Sequence, residues 1–213
     1  MVKRLTFTAA DHARVNAAIG AAEAATRGEI FAVFARSSDS YLFASSFFAL
    51  LLTLVAATLS AGVAALADIP VSGLTLQLTE LVFALLLLLA LRLSVPLRML
   101  FVPAGLKAET AHRTALAQFT AHDLQATEDR TGILIFVSEA EHHAEVIADA
   151  GINAKVPQAE WDDLVAKLVA AAKADRLADG YVEAIVRAGE ILARHFPVTG
   201  SNPNEIPDRL VEL

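Results

Sequence analysis

From Tyr41 to Ala67 the chain carries no charged side chain. A run of this length exceeds the roughly 20 residues that an α-helix needs to cross the hydrocarbon core of a bilayer. Asp39 and Asp68 bracket it, and a second apolar run, Leu81–Leu91, lies between Glu80 and Arg92. That second run is too short alone, so its helix must extend into residues 74–80, into 93–100, or both. Pro96 sets a kink at the far end, which membrane helices tolerate. The connection 68–72, with Pro70 and Gly73 nearby, supplies the turn of a hairpin. Lys3, Arg4, Arg14, Arg27 and Arg36 precede the first span, and Arg92, Arg98, Lys107 and Arg113 flank the second. The turn has no Lys or Arg, so the positive-inside rule predicts that both termini face the cytoplasm. Ser45, Ala49, Ala57, Ala61 and Ala65 give the first span a small-residue face that packs the hairpin. Glu80 is expected at the outer interface rather than in an ion path. No hydrophobic run follows directly on Met1-Val-Lys-Arg, so a cleaved signal peptide is not expected.

Outside the hairpin the chain reads as one mixed domain, because about 150 residues suffice for a single core. The formal net charge is −7, with the acidic excess after residue 101. An acidic domain without a basic stripe does not suit nucleic acid, whose phosphates supply most of the affinity. The absence of cysteine excludes disulfides, Cys-ligated metals and thiol catalysis.

Thr8 followed by Asp11 forms a capping box, and Val15, Ile19 and Ala22 share a face, so residues 9–25 are expected to be helical. Residues 29–35 and 132–137 are continuous apolar runs after Gly punctuation and read as buried strands, with 144–148 as a third. Residues 104–126 read as a polar helix. Trp161, Leu164, Val165, Leu168, Val169 and Ala172 follow the amphipathic helical period. Asp179-Gly180 reads as a turn before a last helix, 181–195, and the proline-rich tail 197–213 reads as irregular. Strands this apolar need helices on both faces. The first strand cannot fold alone, so the segments either side of the hairpin must share one sheet.

The stretch Arg130–Ser138, followed by Ala144–Ile152, Trp161 and Asp179-Gly180, resembles the TPM domain family, over about residues 8–40 and 103–197. The family includes thylakoid-lumen proteins linked to photosystem II repair, some described as acid phosphatases, and bacterial membrane proteins with an inserted hairpin. The resemblance implies an α/β fold, a three-layer αβα sandwich around a short, largely parallel sheet with an inserted two-helix transmembrane hairpin. On that basis residues 1–40 and 101–197 form the two parts of a TPM-like domain, 41–100 the hairpin and 198–213 a C-terminal extension. Members with proposed activity carry Gly-Leu-Glu after the third strand and an Asp further on. Here Gly151-Ile152-Asn153 and Val156-Pro157-Gln158 stand there, without those two carboxylates.

No P-loop, Gly-x-Ser-x-Gly, His-Glu-x-x-His or EF-hand spacing occurs. The candidate chemistry rests on acids near strand ends: Glu139 and Glu141 after the second strand, Asp149 after the third, and Asp175 and Asp179 between the last helices. Ligands gather beyond the carboxyl ends of parallel strands. Glu141, Asp149 and Asp179 are therefore the candidate ligands for Ca²⁺ or Mg²⁺, which would activate water for phosphate ester hydrolysis. Gly151 is singled out beside Asp149, and Glu29, opening the first strand, is expected to cap or to pair with an Arg. His142-His143 reads as a surface loop. The sequence thus points to a membrane-anchored domain that binds a partner protein or serves assembly. The alternatives are a weak metal-dependent phosphatase or an oligomeric transport or channel subunit.

Overall fold

In the computed structural model, which describes residues 5–198 and 204–213, two seven-residue strands lie side by side at the centre of one unit. These are β1 (Glu29–Ala35) and β2 (Gly132–Ser138), buried at every position and parallel in unbroken register from Glu29↔Gly132 to Ala35↔Ser138. Alternate residues of a strand point to opposite faces. Ile30, Ala32 and Phe34 join Ile133, Ile135 and Val137 in one core, while Phe31, Val33 and Ala35 join Leu134 and Phe136 in another. The first core is covered by α1 (Ala9–Glu23), α7 (Gln158–Lys173) and α8 (Leu177–His195), the second by α5 (Ala104–Ala121) and a 3-10 turn at Leu124–Ala126. The result is an αβα sandwich whose sheet runs in the order β3 (His143–Ala148), β2, β1, β4 (Leu210–Glu212). Two further helices are short: α4 (Val95–Leu100) and α6 (Ala150–Asn153).

Four details depart from the sequence reading. The strand β3 (His143–Ala148) pairs antiparallel with β2, and His143 opens it rather than lying in a loop. The tail is not an irregular extension. Its residues Leu210–Glu212 form β4, parallel to β1, with Leu210 buried in one core and Ile206 in the other. Asp179-Gly180 is not a turn but lies inside α8, which starts at Leu177. The helix expected to run to residue 126 stops at Ala121, where Asp123 takes a positive φ of 56°. The capping box at Thr8 and Asp11 is present, and Trp161 is buried.

The chain divides into this α/β unit, formed up to Ser38 and from Thr110 onward, and a helical unit from Asp39 to Glu109. In the helical unit α2 (Leu42–Leu66) packs against α3 (Gly73–Leu93), and both are long and apolar enough to cross a membrane. Ser45, Ala49 and Thr53 are buried at four-residue spacing, whereas Ala61 and Ala65 are exposed. Small residues thus pack only the first half of α2. Glu80 is on α3, half-buried. After Leu93 the backbone turns, and Ser94 accepts the Leu97 N–H (3.4 Å) to cap α4, with Pro96 in its first turn. Proline lacks the N–H that an interior helical position would need, so it sits where a helix begins. Arg98 donates to the carbonyls of Leu91 (3.1 Å) and Arg92 (3.2 Å), satisfying acceptors at the end of α3, and to that of Ser40 (2.7 Å) ahead of α2. Lys3 and Arg4, used in the orientation argument, lie outside the described residues.

Candidate functional site

The three candidate metal ligands do not meet. Glu141 lies in the turn after β2, whereas Asp149 follows β3. Because β3 runs back along β2, pairing Ser138 with His143 and Ile133 with Ala148, Asp149 ends beside Gly132, whose carbonyl accepts its N–H (3.0 Å). Glu141 and Asp149 are therefore separated by the length of β2, about 20 Å at ~3.3 Å per residue. Asp179, in the first turn of α8, pairs with Arg14 of α1 (2.5 Å) and with Arg176 (4.0 Å).

Each acid has another occupation. Glu141 accepts the Ser38 N–H (2.9 Å), the Ser37 hydroxyl (3.3 Å) and the Ser138 hydroxyl, so it ties the β2–β3 turn to the chain leaving β1. Glu139 accepts the Leu5 N–H (2.9 Å). Asp149 caps α6 by accepting the Ala150 N–H (2.6 Å) and is gripped by both ends of the Arg130 guanidinium (3.2 and 3.0 Å). Bidentate Arg–carboxylate pairing fills the in-plane lone pairs that a cation would need. Among the described residues no group of three or more His, Asp or Glu side chains is arranged to hold a metal ion. The residues present do not fit a Ca²⁺ or Mg²⁺ site, and the geometry supplies no hydrolytic step through one. Gly151 serves packing: a Cβ there would meet the carbonyl oxygens of Asp129 and Arg130 at 2.6 and 2.7 Å.

Asp149→Ala is expected to lower the stability of the α/β unit by about 1–2 kcal/mol, from the lost cap and the stranded Arg130. Thermal unfolding checks this. A Ca²⁺-dependent rise in the wild-type midpoint that vanishes in the variant would instead make Asp149 a ligand.

His143 and Glu145 are two apart on β3 and share a face, over which α5 places His112. Glu145 accepts from His112 (2.7 Å) and His143 (3.1 Å). Burial alone would raise the Glu145 carboxyl, but these two hydrogen bonds outweigh it and hold it below its ordinary value.

The sharpest electrostatic feature is at the amino end of β1, and most of it escaped the sequence reading. Among the described residues Glu29 pairs with no Arg. It is buried, and its Oε2 accepts the Ile206 N–H (3.2 Å). Glu23, at the end of α1, is also buried, accepts the Ile30 N–H (2.7 Å) and hydrogen-bonds the carboxyl of Asp208. Burial, with Glu29 and Asp208 nearby, pushes the Glu23 carboxyl up to about 9 against the Ile30 hydrogen bond, so it is protonated at neutral pH. Burial raises Glu29 as well. The signal for Glu23 was present: Val15, Ile19 and Glu23 follow a four-residue spacing on the inward stripe of α1. Nothing in the tail distinguishes Asp208.

A model of the TPM domain matches residues 86–191, about half of the chain. No curated protein matches it. Among solved structures, the NMR structure of the BA42 protein from the psychrophilic bacterium Bizionia argentinensis superposes with a TM-score of 0.61. The two chains are 19% identical, and the match covers 100% of each, a likeness of fold. The matched segment contains β2, β3, α6, α7 and most of α8, the elements that carry the Arg130–Asp149 pair and the Gly151 packing point. With the αβα sandwich around them, the chain belongs to the TPM domain family.

Proposed function

We propose that this protein is an integral protein of the bacterial inner membrane, spanned by the α2–α3 hairpin. Its TPM domain is displayed at the cytoplasmic face as a protein-interaction or assembly module. The observation that carries this reading is the exposure of α2 and α3. Of their most apolar 18-residue windows only 11% and 6% is buried, whereas the core helix of a soluble protein is mostly buried. Phe43, Leu66 and Leu93 are 88%, 90% and 77% exposed. Leaving so many large apolar side chains in water costs roughly 25 cal/mol per Å², and lipid removes that cost. Arg14, Arg27, Arg36, Arg92, Arg98, Lys107 and Arg113 all lie outside the 67–72 connection, which supports cytoplasmic termini. The interaction role rests on an anchored domain whose acids are engaged in structural pairing rather than gathered for catalysis.

The chain is expected to stay in the membrane pellet through an alkaline carbonate wash. Because it has no native cysteine, single cysteines at Val71 and Ala121 report topology. In intact cells an impermeant maleimide should label the first and reach the second only after permeabilisation. Release by carbonate would overturn the anchor, and the reverse labelling pattern would overturn the orientation.

A further inference from the structure

The β2–β3 turn and the carboxyl half of α7 enclose a cavity of about 380 Å³ within the α/β unit. Its walls are apolar: Val137 from β2, Ala144 from β3, Leu168, Val169 and Ala172 from α7, and Leu5 ahead of α1. The volume falls in the roughly 300–1,000 Å³ range of small-molecule sites, which combine apolar walls with a few placed polar groups. Two ionisable groups on the wall are half-buried, Glu139 and His143, and His143 is engaged with Glu145. Glu139 commits only Oε1, to the Leu5 N–H (2.9 Å). Among the described residues its Oε2 accepts no hydrogen bond, and no Lys, Arg or His forms an ion pair with it.

We propose that this cavity binds a small primary amine with an apolar body. The ammonium donates to the free Oε2 of Glu139, and a ring or short alkyl group fills the space between α7 and Ala144. A carboxylate oxygen held against apolar walls has lost part of its water and gains from a donor there. A positively charged donor gains most, because charge-assisted hydrogen bonds are the strong ones. The α7 wall adds to this, since the helix ends at Lys173 and its carboxyl end carries partial negative charge. Lys173, His142 and Asp175 also border the cavity, but all three are exposed, where water weakens their fields. An anion would set its charge against Glu139. Ca²⁺ or Mg²⁺ would need about six oxygen ligands, which apolar walls do not supply.

The test uses the full chain in nanodiscs, with empty nanodiscs as the blank, and three probes that share one body: phenethylamine, phenethyl alcohol and hydrocinnamate. Calorimetric titration is expected to show saturable binding of the amine, about tenfold or more tighter than the alcohol, with hydrocinnamate weakest. Glu139→Gln keeps an amide oxygen for the Leu5 N–H and removes the charge. It should bring the amine to the level of the alcohol while the melting midpoint, read from Trp161 fluorescence, stays close to wild type. Ala172→Trp fills the cavity and should abolish binding of both. Equal affinity for the three probes would overturn the assignment, as would no saturable binding of the amine at millimolar concentration. Amine binding that survives either substitution would place it elsewhere and sink the proposal. Tightest binding of hydrocinnamate would make Lys173 the anchor, with the same consequence.

Discussion

Replacing Gly132 with alanine is expected to destabilise the α/β unit by about 3 kcal/mol or more, a large part of the roughly 5–15 kcal/mol that holds a domain together. A Cβ at this position would lie 2.3 Å from the Leu124 carbonyl oxygen and 3.1–3.2 Å from that residue's carbonyl carbon and Cα. The obstacle is backbone, so no rotamer change relieves it, and the two chains must separate by roughly an ångström. Separation is opposed on every side. The Gly132 carbonyl accepts the Asp149 N–H, Thr131 N–H donates to the Thr127 hydroxyl (3.0 Å), and the Thr131 carbonyl accepts the Glu29 N–H (3.1 Å). Gly105→Ala is the internal control. It lies in the first turn of α5 with no atom within 4 Å of the added Cβ, and should stabilise by about 0.5–1 kcal/mol through helix propensity. The fluorescence of Trp161, the one tryptophan, reports both through thermal unfolding. Equal midpoints for Gly132→Ala and wild type would mean that the turn at Leu124 yields freely.

The strands β1 and β2 were legible because both faces of each are buried, so their sequences are unbroken apolar runs, and burial on two faces demanded a helical layer on each. The direction of β3 was legible in principle. Only Glu139–His142 separate it from β2, and a parallel connection needs a dozen or more residues. Grouping Asp149 with Glu141 beyond the carboxyl ends of the strands placed it at the wrong end of the sheet, because β3 runs back along β2 and carries Asp149 beside Gly132. The strand β4 left almost no trace: three residues within a proline-rich tail have no period to detect, and their stability comes from β1. Gly180 misled for a different reason. A glycine beside an aspartate looks like a turn, but here it lets α8 approach α7, since a Cβ would sit 2.7 Å from that of Ala171. Close helix approach and tight turns select the same residue, and local sequence does not separate them. Glu23 shows the converse case. Its position on the inward stripe of α1 was visible, but its partner Asp208 is 185 positions further on, in a segment without periodicity.

Phe83→Arg should reduce the membrane-inserted fraction sharply, because Phe83 is at the middle of α3 and 56% exposed. An arginine at the centre of a membrane helix costs about 2.5–3.5 kcal/mol on the insertion scale, equivalent to roughly a hundredfold in the insertion equilibrium. The sign of the effect is the informative part. If α2 and α3 belonged to a water-soluble protein, an arginine there would break an exposed apolar patch and improve solubility. In a bilayer the same change strands a guanidinium about 16 Å from either end of α3, beyond easy reach of the headgroups at 1.5 Å of rise per residue. Leu74→Arg, one residue into the same helix and 65% exposed, separates depth from charge. Its side chain can extend to the interface and should leave insertion nearly unchanged. Carbonate-resistant protein measured for both variants gives the answer: loss for Phe83→Arg with retention for Leu74→Arg matches a spanning hairpin. Equal retention of the two would place α3 in water or in a protein interface instead of lipid.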